Sequence, residues 1–151
     1  MDFITEFLIS IFESLNLYST ASGLGEHLRG LNLECEDYTR QSIYSMVFLT
    51  LFLINTIIII NYYYGILNRI PFNRILWWLL NVLFGAIIMF LVAFLYANND
   101  FTSGNVCKTL SITTSDCIGF GVTSAIFSII WSCLLSLIIK WNSSVNKKVP
   151  F

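Results

Sequence analysis

Three uncharged apolar runs constrain this chain more than any other feature. Ile43 to Leu67, Ile75 to Ala97 and Gly119 to Ile139 hold no Asp, Glu, Lys, Arg or His. A hydrocarbon core of roughly 30 Å takes about 20 helical residues at about 1.5 Å each, and every run is long enough. Inside lipid an unpaired backbone amide has no water to turn to, so each run must close its hydrogen bonds within itself, as a helix does. Composition agrees: 56% of residues are hydrophobic and only 11% charged, against about a quarter charged in soluble domains. The chain therefore reads as an all-α integral membrane protein, with three transmembrane helices plus an N-terminal amphipathic interfacial helix.

Charge gives the spans a direction. Residues 1–42 carry Asp2, Glu6, Glu13, Glu26, Glu34, Glu36 and Asp37 against Arg29 and Arg40. The 68–74 connection has Arg69 and Arg74 with no acid, the 98–118 loop has Asp100, Lys108 and Asp116, and the 140–151 tail has Lys140, Lys147 and Lys148. Short basic segments stay cytoplasmic. The expected order is an extracytoplasmic region 1–42, a first span 43–67, a cytoplasmic connection 68–74, a second span 75–97, an extracytoplasmic loop 98–118, a third span 119–139 and a cytoplasmic tail 140–151. Tyr62, Tyr63, Tyr64, Trp77, Trp78 and Trp141 then fall at the inner interface, where aromatic belts form. A bacterial cytoplasmic (inner) membrane or an organellar inner membrane suits this pattern.

The first residues do not read as a signal peptide, because Met1-Asp2-Phe3 and the acids Glu6 and Glu13 replace the usual basic start. At 100° per residue, Phe3, Ile4, Phe7, Leu8, Ile11, Phe12 and Leu15 share one half of a helix over 2–17, while Asp2, Thr5, Glu6, Ser10, Glu13 and Asn16 take most of the other. Ile9 breaks the pattern. Surface helices that seek anionic lipid carry Lys and Arg, and this one carries acids instead. Its expected roles are to cap the outer ends of its own spans or to dock a partner subunit through Phe3, Phe7, Ile11 and Leu15, with lipid sensing third. Ser19, Thr20, Ser22, Gly23 and Gly25 mark a linker, followed by a weak helix signal over 26–41.

Cys35, Cys107 and Cys117 fall on the oxidising outer side, and Cys133 within the third span. Cys107 and Cys117 share one short loop, so a disulfide between them is the leading expectation. Cys35 paired to either, or free thiols, are the alternatives, since spacing does not fix connectivity. No metal site is expected, because the single histidine, His27, sits alone in a polar linker and reads as solvated.

Ser124, Ser128, Ser132 and Ser136 recur every four residues in the third span, with Gly121, Ala125 and Cys133 in the neighbouring row. Residues four apart lie along one face, so the helix carries a narrow seam of small side chains. Lipid gives no hydrophobic drive for helix association, and close backbone approach with hydroxyl hydrogen bonds must supply it. The seam is expected to pack against a helix of this chain or of another; the alternative is a row of hydroxyls lining a water-filled path. Asn55 and Thr56 in the first span, and Asn81 with Gly85 in the second, offer further polar or close-packing positions, and each carboxamide should meet a partner helix or the other Asn.

No catalytic, cofactor or metal motif is present, no ionisable group lies at membrane depth, and Lys147-Lys148 is too small a basic patch for nucleic acid. Pro71 and Pro150 sit outside the spans, so the helices should be unbroken, and the Asn142-Ser143-Ser144 glycosylation pattern falls on the inner side. The expected function is non-enzymatic: an assembly or accessory subunit of a membrane protein complex, partnered by the bilayer and by other subunits or its own copies. A homo-oligomeric pore, or a membrane immunity or exclusion protein that binds a toxin or phage component, are the alternatives.

Overall fold

A computed structural model describes residues 3–15, 17, 18, 22–70, 72, 74–143 and 145–149. Asp2, Asn16, Ser19, Thr20, Pro71, Ser144 and Pro150, and the side chains of Phe3, Ile4 and Lys147, lie outside the described residues. Among the described residues five α-helices follow in order: α1 Phe3–Ser14, α2 Leu24–Arg29, α3 Ile43–Tyr64, α4 Ile75–Thr102 and α5 Thr114–Ile139. Short 3-10 turns lie at Lys140–Asn142 and Asn146–Lys148, and the described residues include no strand.

Three helices, those beginning at Ile43, Ile75 and Thr114, are long and apolar enough to cross a membrane. Two extend beyond the uncharged runs. Helix α4 continues five residues past Ala97, to Thr102, where Thr102 and Ser103 hydroxyls donate to the Asn99 carbonyl and Gly104 turns left-handed at φ 71°. Helix α5 starts at Thr114 rather than Gly119, because Thr113 and Asp116 cap each other: the Asp116 carboxylate accepts from the Thr113 amide at 3.0 Å and its hydroxyl at 2.8 Å. Helix α3 ends early, at Tyr64. Gly65 follows, and the Asn61 side chain accepts the Ile66 amide at 3.1 Å.

The chain divides into two compact units, one of residues 1–49 and 90–124, the other of residues 50–89 and 125–151. The first centres on an aromatic cluster. Phe12 lies edge-on to Phe48 at 4.8 Å between ring centroids, and Phe120 meets Tyr44 at 5.6 Å and Tyr18 at 6.0 Å. Ile9, which interrupts the apolar face in sequence, is the residue α1 buries completely (0% exposed), whereas Phe7 is 58% exposed. Helix α1 thus turns its Ile9–Phe12 line inward and leaves Phe7 and Leu15 outside, with Ile11 half-buried. Its acids are used within the unit: Arg29 of α2 reaches Glu6 at 3.3 Å and both oxygens of Glu13 at 3.1 and 3.2 Å. Gly119 permits the approach of the segment after α1, since a Cβ there would collide with the Leu17 carbonyl.

In the same unit, Cys35 is bonded to Cys107, 72 residues on, with 5.6 Å between Cα atoms. This replaces the expected Cys107–Cys117 bridge. Cys117 has been drawn into the first turn of α5 and is a buried free thiol, while residues 30–41 fold back so that Arg40 donates its amide to the Gly30 carbonyl at 3.0 Å and brings Cys35 to the 103–113 loop.

The second unit packs Ile59, Tyr62 and Tyr63 of α3, Trp78 and Val82 of α4, Leu135 of α5 and Val149 of the tail into one apolar cluster. The tail is fastened here by polar contacts that its composition does not announce. Asn146 donates its carboxamide to the Tyr62 carbonyl at 2.7 Å and the Leu67 carbonyl at 3.1 Å, Tyr63 donates its hydroxyl to the Val149 carbonyl at 2.7 Å, and Asn68 accepts from Ser143 and from the Val145 amide. Carbonyls left open at the end of a helix need such partners.

Candidate functional site

The most concentrated chemistry inside the span-length helices is a polar node in the second unit. Asn55, wholly buried on α3, sends its Nδ2 to the Leu51 carbonyl one turn back at 2.8 Å. Its Oδ1 then faces α5 and accepts two hydroxyl protons, from Ser128 at 2.8 Å and from Ser132 at 3.0 Å. One carboxamide therefore satisfies two of the four ladder serines. Gly85 of α4 completes the node by what it lacks: a Cβ there would stand 2.7 Å from Asn55 Oδ1 and 3.7 Å from Ser128 Oγ. Only glycine lets the α4 backbone pass so close.

The outer members of the ladder are satisfied differently. Ser136 accepts the indole N–H of Trp78 at 2.9 Å, so a residue expected in the aromatic belt also bonds a helix partner. Ser124, in the first unit, donates back along its own helix to the Phe120 carbonyl at 3.0 Å, as does Thr123 to the Gly119 carbonyl at 2.9 Å. All four serines are buried, Gly121 is closed over by the Phe90 ring, and Ala125 is half-buried.

Asn81 does not join the node. Its Nδ2 donates to the Trp77 carbonyl of its own helix at 2.8 Å, so it meets neither Asn55 nor another helix through that bond. Of the two carboxamides expected to meet a partner helix or each other, Asn55 bonds the serines of α5, while Asn81 bonds a carbonyl of its own helix.

A second polar arrangement occupies the first unit. Tyr18 and Tyr44 hydroxyls lie 2.6 Å apart, Tyr44 reaches Glu13 at 3.4 Å, and Glu13 is held by Arg29. Burial, first, pushes the Tyr18 phenol up to about 12, the Tyr44 bond opposing it. His27 is not solvated: on α2 it is 3% exposed, with Nε2 3.4 Å from Asp100 Oδ2, the oxygen that Arg40 also approaches at 3.3 Å. The signal that would have flagged it is its i+3 spacing from Leu24 and its neighbour Leu28, both fully buried. Nearby, Glu6, Arg29, Tyr38, Arg40 and Ser42 line a cleft of about 330 Å³.

Among the described residues no group of three His, Cys, Asp or Glu is placed to hold a metal ion. These features define a class: a helical chain with three helices long and apolar enough to cross a membrane, two of them, α3 and α5, bonded through an Asn–Ser–Ser node. No family model, no curated protein and no solved structure matches the chain.

Proposed function

We propose that this chain is a non-enzymatic multi-pass membrane protein that works as an accessory or assembly subunit of a membrane complex. Its N-terminal region and 98–118 loop face outward, and its C-terminal tail faces the cytoplasm or the organellar interior. One observation carries the reading: Asn55, Ser128 and Ser132 of the span-length helices, and the acids Glu6 and Glu13 of α1, find partners inside the chain. With the serine seam spent on Asn55 and Trp78, the surfaces left for other molecules are apolar helix faces and the disulfide-tied outer segment. Leu33 and Tyr38 are 52% and 57% exposed there, beside exposed Glu34, Glu36 and Asp37. Exposed aromatic and aliphatic groups on a fixed frame are what a partner's pocket takes up.

Helix α1 belongs at the outer interface in this reading. With Glu6 and Glu13 turned to Arg29, its exposed Phe7 and Leu15 are free to lie among headgroups and acyl chains or against a partner. A pore carried by the serine ladder is the weaker reading, because Ser128 and Ser132 would have to exchange Asn55 for water.

Native mass spectrometry of the protein extracted from its own membrane in mild detergent tests the proposal. A second polypeptide should accompany it, and should be lost from Tyr38→Ala or Leu33→Asp while the variant stays folded. A monomer that keeps no partner would overturn it. An immunity or exclusion protein draws on the same fixed outer segment; it predicts that cells lacking the gene become sensitive to one toxin or phage.

A further inference from the structure

His27, Asp100 and Arg40 meet around a single carboxylate oxygen. His27 lies on α2, Asp100 near the end of α4, and Arg40 on the segment between α2 and α3. Imidazole Nε2 stands 3.4 Å from Asp100 Oδ2 and the Arg40 guanidinium 3.3 Å from the same atom, while the other guanidinium nitrogen donates to the Asn105 carbonyl at 2.5 Å. The ring is buried and neither of its nitrogens completes a hydrogen bond. A buried polar ring without bonds is costly to keep, and a proton on it would alter how Asp100 is shared.

We propose that His27, Asp100 and Arg40 form an acid-operated latch that holds residues 30–41 to the end of α4. At neutral pH the ring is uncharged and Arg40 has the Asp100 carboxylate to itself. When imidazole takes a proton from hydronium, an N–H bond forms on the ring and water is released; no other bond changes, but two cations now compete for one oxygen and one of them is buried. The groups facing the ring are Asp100 from α4 and Arg40 from the 30–42 segment; on its own helix, Glu26 takes the Tyr38 hydroxyl and Arg29 is held by Glu6 and Glu13. Burial lowers the proton affinity of His27 below its usual value near 6.5, Asp100 raising it and Arg40 lowering it again. A ring harder to protonate when closed than when open stabilises the closed form above about pH 6.5 and loses that effect as pH falls through its lowered pKa. The Cys35–Cys107 bond stays intact throughout, so the segment loosens about a fixed tether and can close again on neutralisation.

The chain has one histidine, so imidazole titration is unambiguous. We would label it isotopically, place the full chain in lipid nanodiscs, and follow its resonance together with amide exchange of residues 30–41, corrected for the intrinsic pH dependence. The expected midpoint is below 6.5, with exchange in 30–41 rising about tenfold through the same interval. Asp100→Asn should move the midpoint down, Arg40→Gln should move it up, and His27→Gln should abolish the exchange step. If His27→Gln does not fold, titration of the unaltered chain still decides the matter. A midpoint at the solution value that ignores both partner substitutions, or flat exchange across the titration, overturns the latch.

Discussion

The carboxamide of Asn146 donates to the carbonyl of Tyr62 over 2.7 Å, joining positions 84 residues apart. The same side chain also reaches Leu67, so one tail residue closes two carbonyls around the end of α3. It is wholly buried, where water cannot replace what a substitution removes.

Asn146→Ala should therefore cost roughly 1–3 kcal/mol, the range for stranding buried hydrogen-bonding groups. The loss should appear as a lower unfolding midpoint in mild detergent and as earlier protease cleavage after Ile139. Unaltered protection of the tail would show that Val149 alone holds it.

Asn55 and Ser132 should be coupled. Asn55→Leu strands two hydroxyls and should destabilise by roughly 1–3 kcal/mol, whereas Ser132→Ala alone should cost less, since membrane hydroxyl bonds average roughly 0.6 kcal/mol. In a double-mutant cycle the two changes should be non-additive. Strict additivity would mean that the 3.0 Å bond carries no energy. Gly85→Ala should destabilise too, by forcing a methyl onto Asn55 Oδ1.

Peptide mapping without reductant should recover Cys35 linked to Cys107, with Cys117 and Cys133 free. Cys117→Ser should leave that link untouched. Reduction should lower stability by at most about 4 kcal/mol, the loop-closure value for a separation of this length, and by less if spans stay inserted in the unfolded state. Recovery of Cys107 with Cys117 would contradict the fold of the 103–113 loop.

Alkaline stability should report on Tyr18. Its phenol is raised by burial to about 12 from a usual value of 10, so it favours the folded state below pH 10 and loses that contribution as pH climbs towards 12. Tyr18→Phe should flatten the limb above pH 10 while lowering stability at pH 7 through loss of the 2.6 Å bond to Tyr44. An unchanged alkaline limb would assign it to other tyrosines.

What the sequence discloses follows the range of the interaction. The three apolar runs are legible because lipid imposes helix on any uncharged stretch of that length, and the ladder at 124, 128, 132 and 136 is legible because spacing of four marks one face. Their ends are less legible, because a cap or polar turn carries the helix past the apolar run, as Thr113 and Asp116 do for α5. Ile9 looks like an interruption because helical-wheel arithmetic weighs residues within α1, whereas Phe48 and Phe120 gather around Phe12 and decide which side turns inward. His27 beside Asp100, Asn146 beneath Tyr62 and Cys35 against Cys107 are pairings across 70 residues or more, and no local pattern encodes them.

Cys35 and Cys107 are made at different times. They stand 72 positions apart, and the stretch between them includes both α3 and α4. At about 5–20 residues per second of synthesis, the first thiol waits roughly 4–14 s for the second. In the proposed topology Cys107 returns to the oxidising side only after α3 and α4 have crossed in opposite directions. The bond is then a record of biogenesis: a nascent chain in which only one of the two helices has crossed keeps its two sulfurs reduced on opposite sides of the bilayer, a chemical difference that quality control can read without sensing the buried helices at all.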